Sequence, residues 1–180
     1  MTDIVTRCFR PLTIDMFVRE VERFEWARRV WRVDMHHTFA PDHARWREIG
    51  SQMCCQGMWR HHVIERSFED IAQHVTIAPD GAIWTGRDWN KTPASVGYGM
   101  NRGVFMFEMI GNFDDGGDVL AGAQLDATVA VIDIVQRRVA LPAWALLFHR
   151  DVPQTDKTCP GTSLLKSEII EMVRARRGLL

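Results

Sequence analysis

The sequence lacks several features that mark common protein classes. No apolar stretch approaches the roughly 20 residues of a membrane-spanning helix, and no basic stripe typical of nucleic-acid binders is present. The 180 residues have a formal net charge of -1, with 22 Lys and Arg residues against 23 Asp and Glu residues. We therefore expect neither a membrane nor a nucleic acid as a partner, and the sequence leaves the oligomeric state open.

Cysteines are few, and their spacing does not suggest a disulfide framework. The chain has four, Cys8, Cys54, Cys55 and Cys159, and adjacent cysteines rarely bridge each other. The opening residues, MTDIVTRCFRPLTID, lack the apolar segment and cleavage site of a secretory signal. The sequence thus predicts synthesis in the cytoplasm without a signal peptide, where Cys159 stays reduced.

Apolar patterns with helical and strand periods alternate along the chain. They predict, in order, a helix capped by Thr13, a strand VWRVDMHH, a helix from about 42 to 61, a hairpin in DIAQHVTIAPDGAIWTGRD, a central strand in RGVFMFEMIGNFD, a helix AGAQLDATVAVIDIVQRRV, a strand AWALLF and a closing helix. Strands interleaved with helices indicate an α/β fold with a mixed central β-sheet flanked by helices. No repeat or linker interrupts the pattern, so we expect a single domain, 1–180.

Three metal-ligand residues follow predicted strands or lie in a tight loop. His36 ends the VWRVDMHH strand, His149 follows AWALLF, and Cys159 precedes a Pro-Gly turn. Two imidazoles and one thiolate leave a tetrahedral zinc ion with an open position, as in catalytic sites. His37 is an alternative to His36, since adjacent strand residues point to opposite faces. Buried histidines and an inert thiol are the competing interpretation.

Two further residues could supply chemistry to such a site. Glu108 lies within the apolar run VFMFEMIG, where an unpaired carboxylate is costly to bury. It is a candidate general base, or else an acid at a sheet edge or paired with Arg87 or Arg102. Lys157 lies two residues before Cys159 and is a candidate oxyanion stabiliser. The alternative is an exposed loop lysine.

The polar segment GRDWNKTPASVGYGMN follows the hairpin and is expected to form one wall of the cleft. Its Trp89 and Asn90 are candidate substrate-binding residues, with ordinary loop residues as the equal alternative. Three other histidines fall in or near the second predicted helix, and we interpret them as surface residues: His43, His61 and His62.

Three motifs together resemble the zinc-dependent N-acetylmuramoyl-L-alanine amidases, the amidase-2 group that includes phage amidases and peptidoglycan recognition proteins. They are HHTFAPD, DIAQHVTIAPDGAIWTGRDWN and HRD…DKTCPG, and the resemblance runs from about residue 33 to 165. It implies zinc at one end of a mixed sheet, held by His36 rather than His37, with His149 and Cys159, and Lys157 beside it. It also makes 33–180 the catalytic core and 1–32 an N-terminal helical extension.

The chain departs from this family pattern in instructive ways. Many members have a catalytic tyrosine where this sequence has Gln73, and glutamine cannot act as a base. Cytosolic amidases that recycle wall fragments instead use a glutamate, which matches Glu108. That branch has aspartate as third ligand, whereas this chain has Cys159. The sequence therefore combines features of two branches.

These observations predict a zinc amidase that cleaves the bond between N-acetylmuramic acid and L-alanine. The first hypothesis is a single-domain phage or prophage endolysin that acts on the cell wall after release. The second is a cytosolic recycling amidase for soluble anhydro-muropeptides, and the third is a non-catalytic peptidoglycan-binding module. In each case the partner is peptidoglycan or a muropeptide.

Overall fold

The computed structural model describes residues 6–178, and a six-stranded mixed sheet forms its centre. The sheet order is β1-β4-β3-β5-β2-β6, where the strands are β1 (Pro11–Leu12), β2 (Arg32–His37), β3 (Val75–Ile77), β4 (Ile83–Thr85), β5 (Val104–Met109) and β6 (Leu146–Phe148). Strands β3, β5, β2 and β6 are parallel to their neighbours in that order, while β4 and β1 are antiparallel. The predicted mixed sheet, its hairpin and its central β5 strand are confirmed.

Within residues 6–178, four α-helices flank the sheet: α1 (Ile14–Arg23), α2 (His43–Arg60), α3 (Gly122–Arg138) and α4 (Lys166–Arg176). Helix α1 begins as predicted at Thr13, whose hydroxyl accepts a hydrogen bond from the Met16 N–H at 3.2 Å. Asp42 caps α2 in the same way, accepting from the Arg45 N–H. A π-helical turn, His61–Glu65, continues α2 toward the hairpin. No helix among residues 6–178 is long and apolar enough to cross a membrane.

The two faces of the sheet differ in character because side chains alternate along each strand. Odd-numbered strand residues such as Val33, Phe105 and Phe107 form the main apolar core with α1, α3 and α4. Even-numbered residues of β2 and β5 lie on the opposite face, and these include Asp34 and His36. The alternation therefore separates a hydrophobic face from a face that carries polar and ionisable groups.

Residues 6–32, the described part of the predicted N-terminal helical extension, contain a strand as well as a helix. Residues 1–5 and 179–180 lie outside the described part of the chain. The predicted signal-free start lies partly among these residues, and so do both ends of the predicted 1–180 domain. Within the described part, β1 pairs with β4 and α1 is only ten residues long. The helix ends because Phe24 is extended (φ -67°, ψ 131°), and Phe24 packs edge-on against Trp26.

Candidate metal centre and catalytic cleft

Three potential ligands converge at the carboxyl ends of β2 and β6. The nearest ligand atoms of His36, His149 and Cys159 all lie within 4.8 Å of one another. His36 Nδ1 is 3.3 Å from Cys159 Sγ, and the two imidazole rings are 5.0 Å apart between centroids. His36 and Cys159 are buried, whereas His149 is partly exposed. The cluster therefore has an open side toward the cleft.

The chain brings these residues together through its strand order and one arginine. Strands β2 and β6 are parallel neighbours, so His149, directly after β6, emerges beside the end of β2. Arg150 then connects the two loops: its N–H donates to the Cys159 carbonyl at 2.8 Å, and its guanidinium donates to the carbonyls of Gly161 and Leu164. Gly161 has a φ of +125°, and a Cβ there would overlap the Phe113 carbonyl. Only glycine therefore fits at position 161, two residues after Cys159.

The donor set is suited to zinc. Two imidazoles and one thiolate are ligands that zinc accepts, with distances of about 2.0–2.3 Å from the ion and room for a fourth group. Burial lowers the pKa of His36 and of His149, so both imidazoles are neutral and have a free lone pair at neutral pH. Burial raises the pKa of the Cys159 thiol. A dication beside it would favour the thiolate, and the His37 N–H already donates to its sulfur at 3.4 Å.

Glu108 lies beside the ligands on the neighbouring strand. It is the register partner of His36 in the parallel β2–β5 pair and lines the same cleft. Burial raises the pKa of its carboxyl group to about 8. No group among residues 6–178 donates a hydrogen bond to this carboxylate: Arg87 donates to three main-chain carbonyls instead, and Arg102 is exposed. Glu108 is therefore available to react with a molecule in the cleft.

Lys157 lines the same cleft. The cleft has a volume of about 550 Å³, and Lys157 lines it together with the three ligands and Glu108. The lysine is exposed, and no carboxylate of the described chain forms an ion pair with it. Its charge is close enough to His149 to contribute to the lowered pKa of that imidazole. The three potential ligands, the Glu108 carboxyl group and the Lys157 ammonium group thus line a single cleft.

The other histidines separate into distinct roles. His37 lies on the opposite face of β2 from His36, and its Nδ1 accepts the Phe113 N–H at 3.2 Å. His43 contacts Gln124 at 2.9 Å between its Nε2 and the amide oxygen. The adjacent pair, His61 and His62, belongs to the π-helical turn after α2, and both residues line the cleft. His61 is exposed and His62 partly exposed, so a position at the surface and a position in the cleft wall are compatible.

Trp89 and Asn90 lie away from the ligands and hold the N-terminal segment. The Trp89 side chain is 8% exposed and packs against an aromatic cluster of Phe17, Phe24, Trp26 and Phe105. Asn90 donates to the Glu25 carbonyl at 3.0 Å and accepts the Ala27 N–H at 2.8 Å. These contacts correspond to the structural alternative for both residues rather than to a wall of the cleft.

Gln73, where the resemblance led us to expect a tyrosine, is fully buried. Its amide donates to Thr76 Oγ1 at 2.9 Å and approaches the Met58 sulfur at 3.7 Å. It therefore packs beneath α2 and does not line the cleft. Sequence reasoning missed two other residues, Asp34 and Ser95, which connect to His36. An acid inside the apolar strand VWRVD, two residues before the histidine, was the signal that could have revealed Asp34.

Similarities to known proteins agree with this arrangement. Peptidoglycan recognition protein 1 of Bos indicus is 30% identical over 116 residues, which are 64% of this chain and 59% of that protein. The chain thus spans about three-fifths of the length of the curated relatives it matches. Drosophila PGRP-LB has 27% identity and a TM-score of 0.65, covering 81% of this chain and 82% of its own. A variant of it in complex with tracheal cytotoxin gives a TM-score of 0.66 with 27% identity, covering 81% of this chain and 83% of its own.

The fold is shared more widely. The endolysin N-acetylmuramoyl-L-alanine amidase LysCS of Clostridium intestinale has a TM-score of 0.65 at 24% identity, covering 88% of this chain and 93% of that one. Residues 26–162 match the family described as N-acetylmuramoyl-L-alanine amidase, the amidase-2 family. That match includes all three ligands, Glu108 and Lys157. The chain therefore belongs to the N-acetylmuramoyl-L-alanine amidase family.

Proposed function

We propose that this protein is a zinc-dependent amidase that hydrolyses the bond between N-acetylmuramic acid and L-alanine in peptidoglycan. The observation that carries the proposal is the shared cleft: Glu108 and Lys157 line it together with the complete set of ligands. The tracheal cytotoxin complex of the PGRP-LB relative supports a muropeptide as the substrate class. A module that only binds peptidoglycan would have no need for this combination.

Each residue has a definite task in the proposed hydrolysis. His36, His149 and Cys159 would hold the zinc ion, which when bound supplies a Lewis acid that polarises the carbonyl and acidifies water. A dication held beside Glu108 would favour the ionised carboxylate. In that form Glu108 accepts a proton from the attacking water as the water oxygen bonds to the lactyl carbonyl carbon. Lys157 donates a hydrogen bond to the oxyanion that develops. Glu108 then protonates the L-alanine nitrogen as the carbon–nitrogen bond breaks.

We further propose a lytic role, as a phage or prophage endolysin that is made without a signal peptide and acts on the wall after release. Cys159 supports this branch, because the recycling amidases that the sequence also resembles have aspartate as third ligand. Glu108 supports the second candidate, a cytosolic recycling amidase, because that branch uses a glutamate in the corresponding strand. The two candidates share the bond that is cut and differ in whether the substrate is polymeric or soluble.

The test is digestion of intact sacculi and, separately, of soluble anhydro-muropeptides, with products identified by mass spectrometry. We expect free stem peptides from sacculi, and their loss on treatment with a zinc chelator. The Glu108→Gln variant keeps the shape of the side chain but cannot accept the proton, so its kcat should fall by about 10²- to 10⁴-fold. The Asp126→Asn variant, which changes an acid on α3 outside the cleft, serves as the matched control.

The possible results distinguish the candidates. Cleavage of soluble muropeptides without release from sacculi would replace the lytic role with a recycling role. Tight muropeptide binding by a protein that cleaves neither substrate with zinc present would contradict the enzymatic proposal. Activity that survives in Glu108→Gln would remove that residue from the mechanism.

A further inference from the structure

A continuous chain of hydrogen bonds leads from a buried carboxylate to the His36 ligand. The Ser95 hydroxyl donates to Asp34 Oδ2 at 2.7 Å, and Ser95 Oγ is 2.8 Å from His36 Nε2. A serine hydroxyl has one proton. Because that proton points to Asp34, the contact with the imidazole requires that His36 Nε2–H donate to the Ser95 oxygen.

The carboxylate end of this chain is held by an arginine. Asp34 is fully buried, and its two oxygens accept from Arg32 Nε at 2.6 Å and from the second guanidinium nitrogen at 3.1 Å. The same guanidinium donates to the Met100 carbonyl at 3.0 Å. Arg32 thus keeps Asp34 as an acceptor and also anchors the 86–103 loop that carries Ser95 against β2.

The donor-to-acceptor direction of these hydrogen bonds decides which nitrogen of His36 can bind a metal. With the proton on Nε2, the lone pair is on Nδ1, the atom that lies 3.3 Å from Cys159 Sγ. Asp34 and His36 are two residues apart on one strand, so they share a face of the sheet. Ser95 fills the gap between their side chains. The sheet and the loop therefore both contribute to the orientation of one ligand.

We infer that Ser95, together with Asp34, is a positioning residue that holds His36 as the Nε2-protonated tautomer and points Nδ1 at the metal. The inference rests on the proposed function, since it takes zinc as the metal. Groups that accept the second N–H of a ligating histidine fix its tautomer and raise its basicity, and their loss commonly weakens metal binding by about 10- to 100-fold. Here the Ser95 hydroxyl group lies between the His36 imidazole and the Asp34 carboxylate, so it connects the two by hydrogen bonds.

Zinc affinity of three variants tests the inference. Ser95→Ala should weaken zinc binding by about 10- to 100-fold in a competition titration against a fluorescent chelator. Ser95→Thr retains a hydroxyl group and should recover most of that loss. Ser51→Ala is the matched control: Ser51 is a buried serine that accepts a 2.8 Å hydrogen bond from Trp46 Nε1, away from the ligands. It should bind zinc like the wild type.

A second readout needs neither metal nor activity. Long-range ¹H–¹⁵N correlation spectra of the metal-free protein should show His36 with a protonated Nε2, and Ser95→Ala should populate the other tautomer. An Nδ1-protonated His36 in the wild type, or zinc affinity in Ser95→Ala within twofold of the wild type, would overturn the inference alone. A wild-type protein that binds no zinc would overturn both this inference and the proposed function.

Discussion

At the scale of single residues, the role proposed for Lys157 depends on the groups that line the cleft with it. An exposed lysine in a polar loop is unremarkable in a sequence. Here it lines the same cleft as Glu108 and the three potential ligands. In the proposed hydrolysis, its positive charge would stabilise the negative charge that develops on the carbonyl oxygen.

We therefore expect Lys157→Met to lower kcat by about 10²- to 10³-fold, the usual loss when one oxyanion donor is removed. KM should change little, because the hydrogen bond forms mainly in the transition state. Steady-state kinetics on a soluble muropeptide would measure both constants. Lys91→Met, an exposed lysine outside the cleft, is the control and should match the wild type. A raised KM with unchanged kcat would instead make Lys157 a substrate-binding residue.

The sequence allowed the potential ligands to be proposed, because His36 and His149 lie at strand ends and Cys159 lies beside a tight turn. Strand alternation allowed only one of His36 and His37 to face the cleft, and the family resemblance favoured His36. It did not allow Ser95 to be found. A serine in a polar loop has no pattern of its own, and its partners, Asp34 and His36, are about 60 positions away. Such contacts depend on how the loop folds back on the sheet, which local periodicity does not encode.

At the scale of elements, the segment between α1 and β2 is held by contacts rather than by regular structure. Trp89 inserts into the aromatic cluster of Phe17, Phe24, Trp26 and Phe105, with ring centroids 4.9 to 5.9 Å apart. Helix α1 ends at Arg23, and the next residue, Phe24, is extended. The Phe24 side chain packs in this cluster.

Trp89→Ala should destabilise the protein by about 3–5 kcal/mol, the range for removing a large buried aromatic side chain. Denaturant unfolding would measure the loss. At a temperature where the variant stays folded, its KM for a muropeptide should equal that of the wild type, since the side chain lies in the core. Trp144→Ala is the control, because that tryptophan is 72% exposed. An increased KM with full stability would restore the role in substrate binding that the sequence suggested.

At the scale of the whole molecule, the sheet and its flanking helices were predictable because apolar periodicity is strong on the core face. The short β1 was not, since two residues have no measurable period and β1 exists only through its pairing with β4. The polar face was harder to interpret because buried ionisable groups such as Asp34 and His36 interrupt the apolar pattern of the strand that carries them.

His74 makes the stability of the whole fold depend on pH. Burial lowers the pKa of its imidazole to about 3, against about 6.5 in an unfolded chain. Between these values the unfolded chain binds a proton that the folded protein does not, so stability falls as the pH drops from 6.5 toward 3. One such group contributes a slope of up to about 1.4 kcal/mol per pH unit.

His74→Gln should therefore flatten the decline in unfolding free energy between pH 6.5 and 4, measured by urea titration with a chelator present. Glutamine can still donate to the Lys91 carbonyl that His74 contacts at 3.0 Å. Phe105→Leu removes the ring stacked on His74 at 4.9 Å but keeps the titrating group, so it should lower stability and retain the wild-type slope. Equal slopes in His74→Gln and the wild type would show that acid acts through other groups.

The pairing of His36 with Glu108 across β2 and β5 has a consequence for how such a protein can change over generations. Their separation is set by the spacing of adjacent strands, about 4.7–4.9 Å, and not by any loop. A one-residue deletion in either strand would turn one partner to the wrong face and would abolish the proposed reaction. Insertions in the 61–72 segment, which lines the cleft without entering the sheet, would leave that pair undisturbed. We therefore expect relatives to differ in this segment, and with it in the ligands they prefer, while they keep the pairing of the two strands.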